Sequence, residues 1–134
     1  MGARPRDYVV DAHPLFRAPA IEAIGARPEL ECIGAAATGP DALAGLRALR
    51  PDVAVLDMRL PGLSGLELLR LTAADGPPTR MVVLSADVES ELVYAALAGG
   101  AAGYLSKDID PAAFCDAIVA IGRDEVVLSP DGTA

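Results

Sequence analysis

Lysine is almost missing from this chain. Lys107 stands alone against ten arginines. A chain so biased toward the planar guanidinium keeps a lysine where a compact, flexible ammonium is needed. Positive charge as a whole is also short. The formal net charge is −8, which disfavours binding of DNA or an anionic membrane by this domain alone. No apolar run approaches the ~20 residues that span a bilayer. The opening MGARPRD lacks the apolar core of a signal peptide, and Arg6 stands where a myristoylation cue needs Ser or Thr. The expected location is therefore the cytoplasm. Cysteine is scarce: Cys32 and Cys115 lie far apart, form no CxxC and have no histidine near them, so they read as buried free thiols. The single histidine, His13, precedes Pro14 at a strand-to-helix junction and reads as a turn residue rather than a base or ligand. The glycine fingerprint of a dinucleotide-binding turn is absent after the first strand, where the chain runs Asp11-Ala12-His13-Pro14.

What is present describes one globular domain. The 134 residues are 52% hydrophobic and 22% charged, enough for a single well-buried core. Apolar runs at 7–11, 30–36, 52–57, 79–85 and 102–105 alternate with stretches of helical period. Those stretches are 14–26, 39–50, 64–75, 88–99 and 110–122. The pattern βαβαβαβαβα implies a parallel sheet with helices on both faces, joined by right-handed crossovers. Ser64 with Glu67, Thr38 with Asp41, and Asp110 before Pro111 carry helix-start chemistry. Gly76-Pro77-Pro78 and Gly99-Gly100 punctuate two helix ends. Pro19 conflicts with its own stretch, because a proline inside a helix costs about 3 kcal/mol. The expectation is a regular helix beginning near Pro19, with 14–18 a looser turn. Residues 1–125 read as the domain, and 126–134, where periodicity is lost and turn-forming residues gather, as the start of a linker.

Three of the strands end in polar residues: VAVLD at Asp57, MVVLS at Ser85 and GYLSK at Lys107. In a parallel sheet ligands bind beyond the carboxyl ends of the strands. An acid, a hydroxyl and an amine gathered there have the chemistry to accept and hold a phosphoryl group, with the Asp57 carboxylate as nucleophile. Asp11 follows the first strand, but Ala12 stands beside it where a metal site would favour a second acid.

The segments DAHPLFR, RPDVAVLDMRLPGLSGLELLR, VVLSA, AGGAAGYLSKD and VVLSP occur in this order over residues 6–130. With them the chain closely resembles a response-regulator receiver domain, and more narrowly the receivers of the NarL/FixJ (LuxR-type) group. The resemblance implies a flavodoxin-like, CheY-like (βα)5 fold with strand order 2-1-3-4-5, and phosphorylation by a histidine kinase. It implies that Asp57 is the phospho-acceptor, Lys107 the pocket lysine, Ser85 the switch hydroxyl and Tyr104 the aromatic switch residue. It further implies Mg2+ held by Asp11, Asp57 and the backbone carbonyl of Arg59. A homodimer and a DNA-binding output domain in a longer chain complete the expectation. Tyr104 would turn inward once Ser85 moves to a phosphoryl oxygen.

One position departs from the family. Its receivers usually carry two adjacent acids before His-Pro, and here the second is Ala12. Magnesium takes one or two carboxylates plus phosphate oxygens and waters, so the site is expected to bind it weakly. Ala12 also supports an alternative: a phosphorylation-independent receiver acting as a dimerisation or interaction module. Arg59 could extend over the pocket, although a solvated loop arginine is the simpler reading. It also occupies the place where an aspartate-based phosphatase needs a general acid, so an enzyme is not expected.

Overall fold

The computed structural model describes residues 4–75, 79–86, 90–123, 125 and 127. Five strands and five helices alternate along the chain. They are β1 (Arg6–Val10), α1 (Pro14–Gly25), β2 (Glu31–Ala36), α2 (Gly39–Leu49), β3 (Val53–Asp57), α3 (Gly65–Ala74), β4 (Arg80–Ser85), α4 (Ser90–Ala98), β5 (Gly103–Ser106) and α5 (Pro111–Gly122). All four strand pairings are parallel and the order is β2-β1-β3-β4-β5. This is the expected doubly wound topology. Among the described residues no helix is long and apolar enough to cross a membrane.

The strands are apolar on both faces because both faces are covered. Successive side chains of β3 alternate between two cores. Val53 and Val55 face Ile24 of α1 and Phe114, Ile118 and Ile121 of α5. Ala54 and Leu56 face Leu46 of α2, Leu68 and Leu69 of α3, and Ala96 of α4. Each fully buried Leu or Ile contributes roughly 1.5–3 kcal/mol. The central strands are thereby held rigidly, and their carboxyl ends form a fixed edge.

Helix starts follow the chemistry of their caps. Thr38 Oγ1 accepts from Asp41 N at 3.2 Å, Ser64 Oγ from Glu67 N at 3.1 Å, and Asp110 Oδ1 from Ala113 N at 3.0 Å. Each such cap stabilises its helix by about 1 kcal/mol. Gly65 opens α3 directly beneath β3. A Cβ there would meet Met58 Cα at 2.7 Å and Asp57 O at 2.9 Å, so only glycine allows α3 to start this close.

One expectation is corrected. Helix α1 runs from Pro14 straight through Pro19 rather than starting near it. Pro14 sits at the first helical position, where its missing N–H is not needed. The His13 carbonyl accepts from both Phe16 N (3.0 Å) and Arg17 N (2.8 Å), which closes the first turn. The carbonyl denied a partner by Pro19 is that of Leu15. Leu15 is 93% exposed, which puts it on the solvent face of the helix, where an unpaired carbonyl costs little. At the other end of the chain, Val127 pairs with Gly103, its carbonyl accepts from Tyr104 N at 2.9 Å, and it packs into the α1–α5 core. The remainder of 126–134, the Gly76-Pro77-Pro78 punctuation and residues 88–89 of the fourth helical stretch lie outside the described residues.

Asp7 interrupts the apolar pattern of β1. It is wholly buried, and neither carboxylate oxygen has a hydrogen-bond partner. Its register neighbours are Cys32 and Val53, at a point where the β1–β2 pairing shifts. Burial pushes its pKa up to about 7, and the like charges of Asp52 and Glu31 add to this. The Glu31 amide pulls the other way, but it donates to the Pro5 carbonyl at 3.2 Å. Between the ordinary value of 3.8 and about 7 the folded protein holds a proton that the unfolded chain has lost. The stability contributed by this group is therefore full below 3.8, falls as pH rises, and is gone above about 7. Replacing Asp7 with Asn is expected to flatten this slope and to raise stability at pH 8 by on the order of 2–4 kcal/mol. Urea unfolding of both proteins at pH 4 to 8 measures it; parallel pH profiles would show that Asp7 does not titrate with folding.

Candidate functional site

The carboxyl edge of the sheet brings four predicted residues to one place. Asp11 follows β1, Asp57 ends β3, Ser85 ends β4 and Lys107 follows β5. These strands are consecutive neighbours in the sheet, so residues distant in sequence become adjacent. Asp11 is anchored by its amide to the Ala36 carbonyl (3.1 Å), and its own carbonyl accepts from Arg17 Nη1 (2.7 Å). Asp11, Asp57 and Ser85 are all buried.

Lys107 is the electrostatic centre of the site. Its Nζ lies 2.7 Å from Asp11 Oδ2 and 3.2 Å from Asp57 Oδ2, with the lysine side chain only 14% exposed. Both carboxylates are thus ion-paired to the same ammonium. The ammonium also sits 4.9 Å from the Phe16 ring centroid, a cation–π contact that holds it from the side of α1. The Lys107 amide donates to the Ser85 carbonyl at 2.9 Å, tying the start of the β5–α5 loop to the end of β4.

The two oxygens of Asp57 are not equivalent. Oδ1 accepts from the Arg59 amide at 3.1 Å. Oδ2 faces Lys107 and His13. Arg59 itself is exposed. Tyr104 is part of the core between the sheet and helices α2, α3 and α4. It is 2% exposed, so the ring is inside rather than at the surface from which it was expected to turn.

Two residues at the site were not singled out for it from sequence. One is Phe16. The other is His13, read above as a turn residue, whose Nδ1 lies 3.2 Å from Asp11 Oδ1 and 3.6 Å from Asp57 Oδ2. Its amide donates to Asp11 Oδ1 at 2.8 Å, which folds the loop back over the strand end. The sequence signal was its place directly after the position where the second acid is missing. Asp11, His13 and Asp57 each offer one ligand atom, all within 4.8 Å of one another. Asp11 Oδ2 and Asp57 Oδ2 are buried and face the Lys107 ammonium. Two such carboxylates are the donors a divalent cation such as Mg2+ takes.

Comparison with known proteins bears on the family and the fold. Residues 8–119 match the response regulator receiver domain family. The chain is 36% identical over 121 residues to the DNA-binding transcriptional activator DevR/DosR of Mycobacterium tuberculosis, covering 90% of this chain and 56% of that protein. It is 34% identical to the nitrate/nitrite response regulator protein NarL of Escherichia coli, again with 90% and 56% covered. The chain thus spans little more than half the length of these curated relatives. Among solved structures, the receiver domain of the putative response regulator NarL from Mycobacterium tuberculosis superposes with a TM-score of 0.88 at 35% identity, covering 91% of this chain and 98% of that one. A LuxR-family two-component response regulator from Aurantimonas gives 0.89 at 32%, with 96% and 92% covered. The chain belongs to the response regulator receiver domain family and is similar to its NarL- and LuxR-type members.

Proposed function

We propose that this domain accepts a phosphoryl group on Asp57 from a histidine kinase and passes the signal to an output domain in a longer chain. The observation that carries the reading is Lys107 Nζ standing between two buried carboxylates at 2.7 and 3.2 Å, with Asp57 Oδ2 in front of it. Phosphoryl transfer needs positioning and charge neutralisation more than covalent help from the protein. Oδ1 is held by the Arg59 amide, which leaves Oδ2 as the nucleophile. Its bond to phosphorus forms as the N–P bond of a phosphohistidine breaks, and the imidazole nitrogen leaves with the electron pair. Lys107 holds Asp57 at rest and a phosphoryl oxygen afterwards. The Ser85 hydroxyl donates to another phosphoryl oxygen, and the packing around Tyr104 carries the change to the surface beside α4 and β5. Asp11, Asp57 and the Arg59 carbonyl would hold a divalent cation, for which Mg2+ is the family expectation, and it would supply charge neutralisation for the incoming phosphoryl group. With Ala12 in place of an acid, that binding is weak.

The relatives named as transcription regulators support a DNA-binding output in the longer chain, with 1–125 as the receiver and 126–134 leading to the linker. A homodimer in the cytoplasm fits this reading. With a net charge of −8, the domain described here does not itself bind DNA specifically. Ala12 favours one further reading, an interaction module that works without phosphorylation.

Mass spectrometry after exposure to acetyl phosphate or a phosphoramidate, with a divalent cation present, is expected to show one added phosphoryl group, absent in Asp57→Asn. Modification persisting in that variant would identify another acceptor, and an unmodified parent would favour the interaction module. Calorimetry is expected to show Ala12→Asp binding Mg2+ on the order of tenfold more tightly; equal affinities would mean that position 12 does not face the cation. Lys107→Met leaves two buried carboxylates without their ammonium. It is expected to destabilise the domain by about 2–4 kcal/mol in urea unfolding, with part of the loss recovered by a divalent cation. An unchanged midpoint would show that the pair is not electrostatically coupled through Lys107.

A further inference from the structure

We infer that Asp7 is a proton-controlled latch on the start of the edge strand β2: when protonated it lets β2 close over it, and when ionised it releases residues 31–34 to solvent while the rest of the fold stands. The seam lies at the amino end of the sheet, away from the carboxylates at the carboxyl edge, and works without any phosphoryl chemistry.

The placement of Asp7 comes first. Its register neighbour on β3 is Val53, a residue of the core beneath α1 and α5, so the carboxylate faces that core. Its neighbour on β2 is Cys32, which packs against the same core. Asp7 is wholly buried, and neither oxygen has a hydrogen-bond partner. The charges that act on it, Asp52 and Glu31, are both negative. Two arginines on neighbouring segments are committed elsewhere. The Arg6 guanidinium donates to the carbonyls of Leu49 and Arg50 at 2.7 and 3.0 Å. Arg27 is paired with Asp116 at 2.6 Å and Glu29 at 3.1 Å. The neutral titratable groups in the field of Asp7 are the thiols of Cys32 on β2 and Cys115 on α5. An ionised carboxylate here is buried without compensation, which the closed structure tolerates poorly.

Relief has one easy direction. Strand β2 is an edge of the sheet and is hydrogen-bonded to β1 alone among the strands. The ladder breaks beside Asp7: Asp7 opposes Cys32 and Tyr8 opposes Gly34, so the register skips Ile33. The start of β2 is also thinly covered, with Glu31 exposed and Cys32, Ile33 and Gly34 only partly buried. Beyond the irregularity the strand is fastened. Ala35 and Ala36 pair with Val9 and Val10, and the Asp11 amide donates to the Ala36 carbonyl at 3.1 Å. Local opening begins where few buried contacts oppose it, so it breaks the 3.2 Å bond from the Glu31 amide to the Pro5 carbonyl and stops at the skipped residue.

The sign follows from the proton. Opening hydrates Asp7 and returns it to the ordinary value of 3.8, whereas burial in the closed form holds the proton up to about 7. Opening is therefore suppressed in acid, grows as pH rises from 3.8 to about 7, and levels off above that.

The chain's two cysteines report on the latch. The test labels the intact chain from pH 5 to 8 with an aromatic disulfide that reacts in acid, and peptide mass spectrometry resolves the rate at each cysteine. Dividing the parent's rate by that of Asp7→Asn cancels the thiol's own ionisation. At Cys32 the ratio is expected to rise about tenfold or more between pH 5 and 7 and then to flatten. A fold that stays closed gives the reverse, because ionised Asp7 pushes the Cys32 thiol further up and slows it. Cys115 is 2% exposed and its Sγ donates to the Ala23 carbonyl, so its rate reads unfolding of the whole domain. Cys32 of the parent is expected to react at least about tenfold faster than Cys115 at pH 7. Asp7→Val, apolar like its surroundings, is the second variant and is expected to give the same ratios as Asp7→Asn. A Cys32 ratio that stays flat or falls with pH would overturn the inference. So would equal rates at the two cysteines, since both would then wait for global unfolding rather than for release of one strand.

Discussion

Two carboxylates buried at one end of a parallel sheet repel each other and have little water to screen them. The Lys107 ammonium between Asp11 and Asp57 is what makes that arrangement tolerable, at 2.7 and 3.2 Å from their oxygens. Breaking a buried pair by removing one partner is far more costly than the pair's net worth, because it leaves an uncompensated charge. Much of the surrounding structure serves to hold this one ammonium. Phe16 of α1 faces it across 4.9 Å, and its own amide is bound to the end of β4. The strand order that places β1, β3, β4 and β5 side by side is the condition for all of it.

The opposite end of β1 shows the uncompensated case. Asp7 is as deeply buried as Asp11, but no lysine or arginine reaches it among the described residues. The physical outcome differs accordingly. At the carboxyl edge, charge is balanced by charge and the site stays poised for an anion or a cation. At the amino edge, burial favours the neutral acid up to about pH 7. Asp7 within β1 thus makes stability depend on pH, whereas Asp11 just beyond it lies beside an ammonium.

The asymmetry within the Asp57 carboxylate follows from the same local geometry. The chain turns sharply after β3, and the Arg59 amide comes back onto Asp57 Oδ1. Gly65 lets α3 begin directly against that turn. One oxygen is thereby fixed and the other is presented toward Lys107 and His13. The loop after β1 behaves alike, with the His13 amide holding Asp11 Oδ1. Two backbone turns thereby orient two carboxylates toward one ammonium.

The amino-acid sequence by itself determined the element order, because apolar runs and helical periods alternate without ambiguity and the caps at Thr38, Ser64 and Asp110 mark their helix starts. It also marked Asp57, Ser85 and Lys107, since a polar residue ending a two-faced apolar strand has only the sheet edge to occupy. Three matters were decided by tertiary structure alone. Pro19 lies inside α1, because the carbonyl it leaves unpaired belongs to a residue on the solvent face. Tyr104 lies inside, because one face of β5 is covered by α4 and its neighbours. His13 joins the carboxylates, because its position depends on how the loop folds back over the end of β1 and on the distance from β1 to β3. Local pattern records which residues are apolar and how they alternate. It does not record how a three-residue turn aims a side chain across two neighbouring strands, and that aim is set by contacts between parts of the chain distant in sequence.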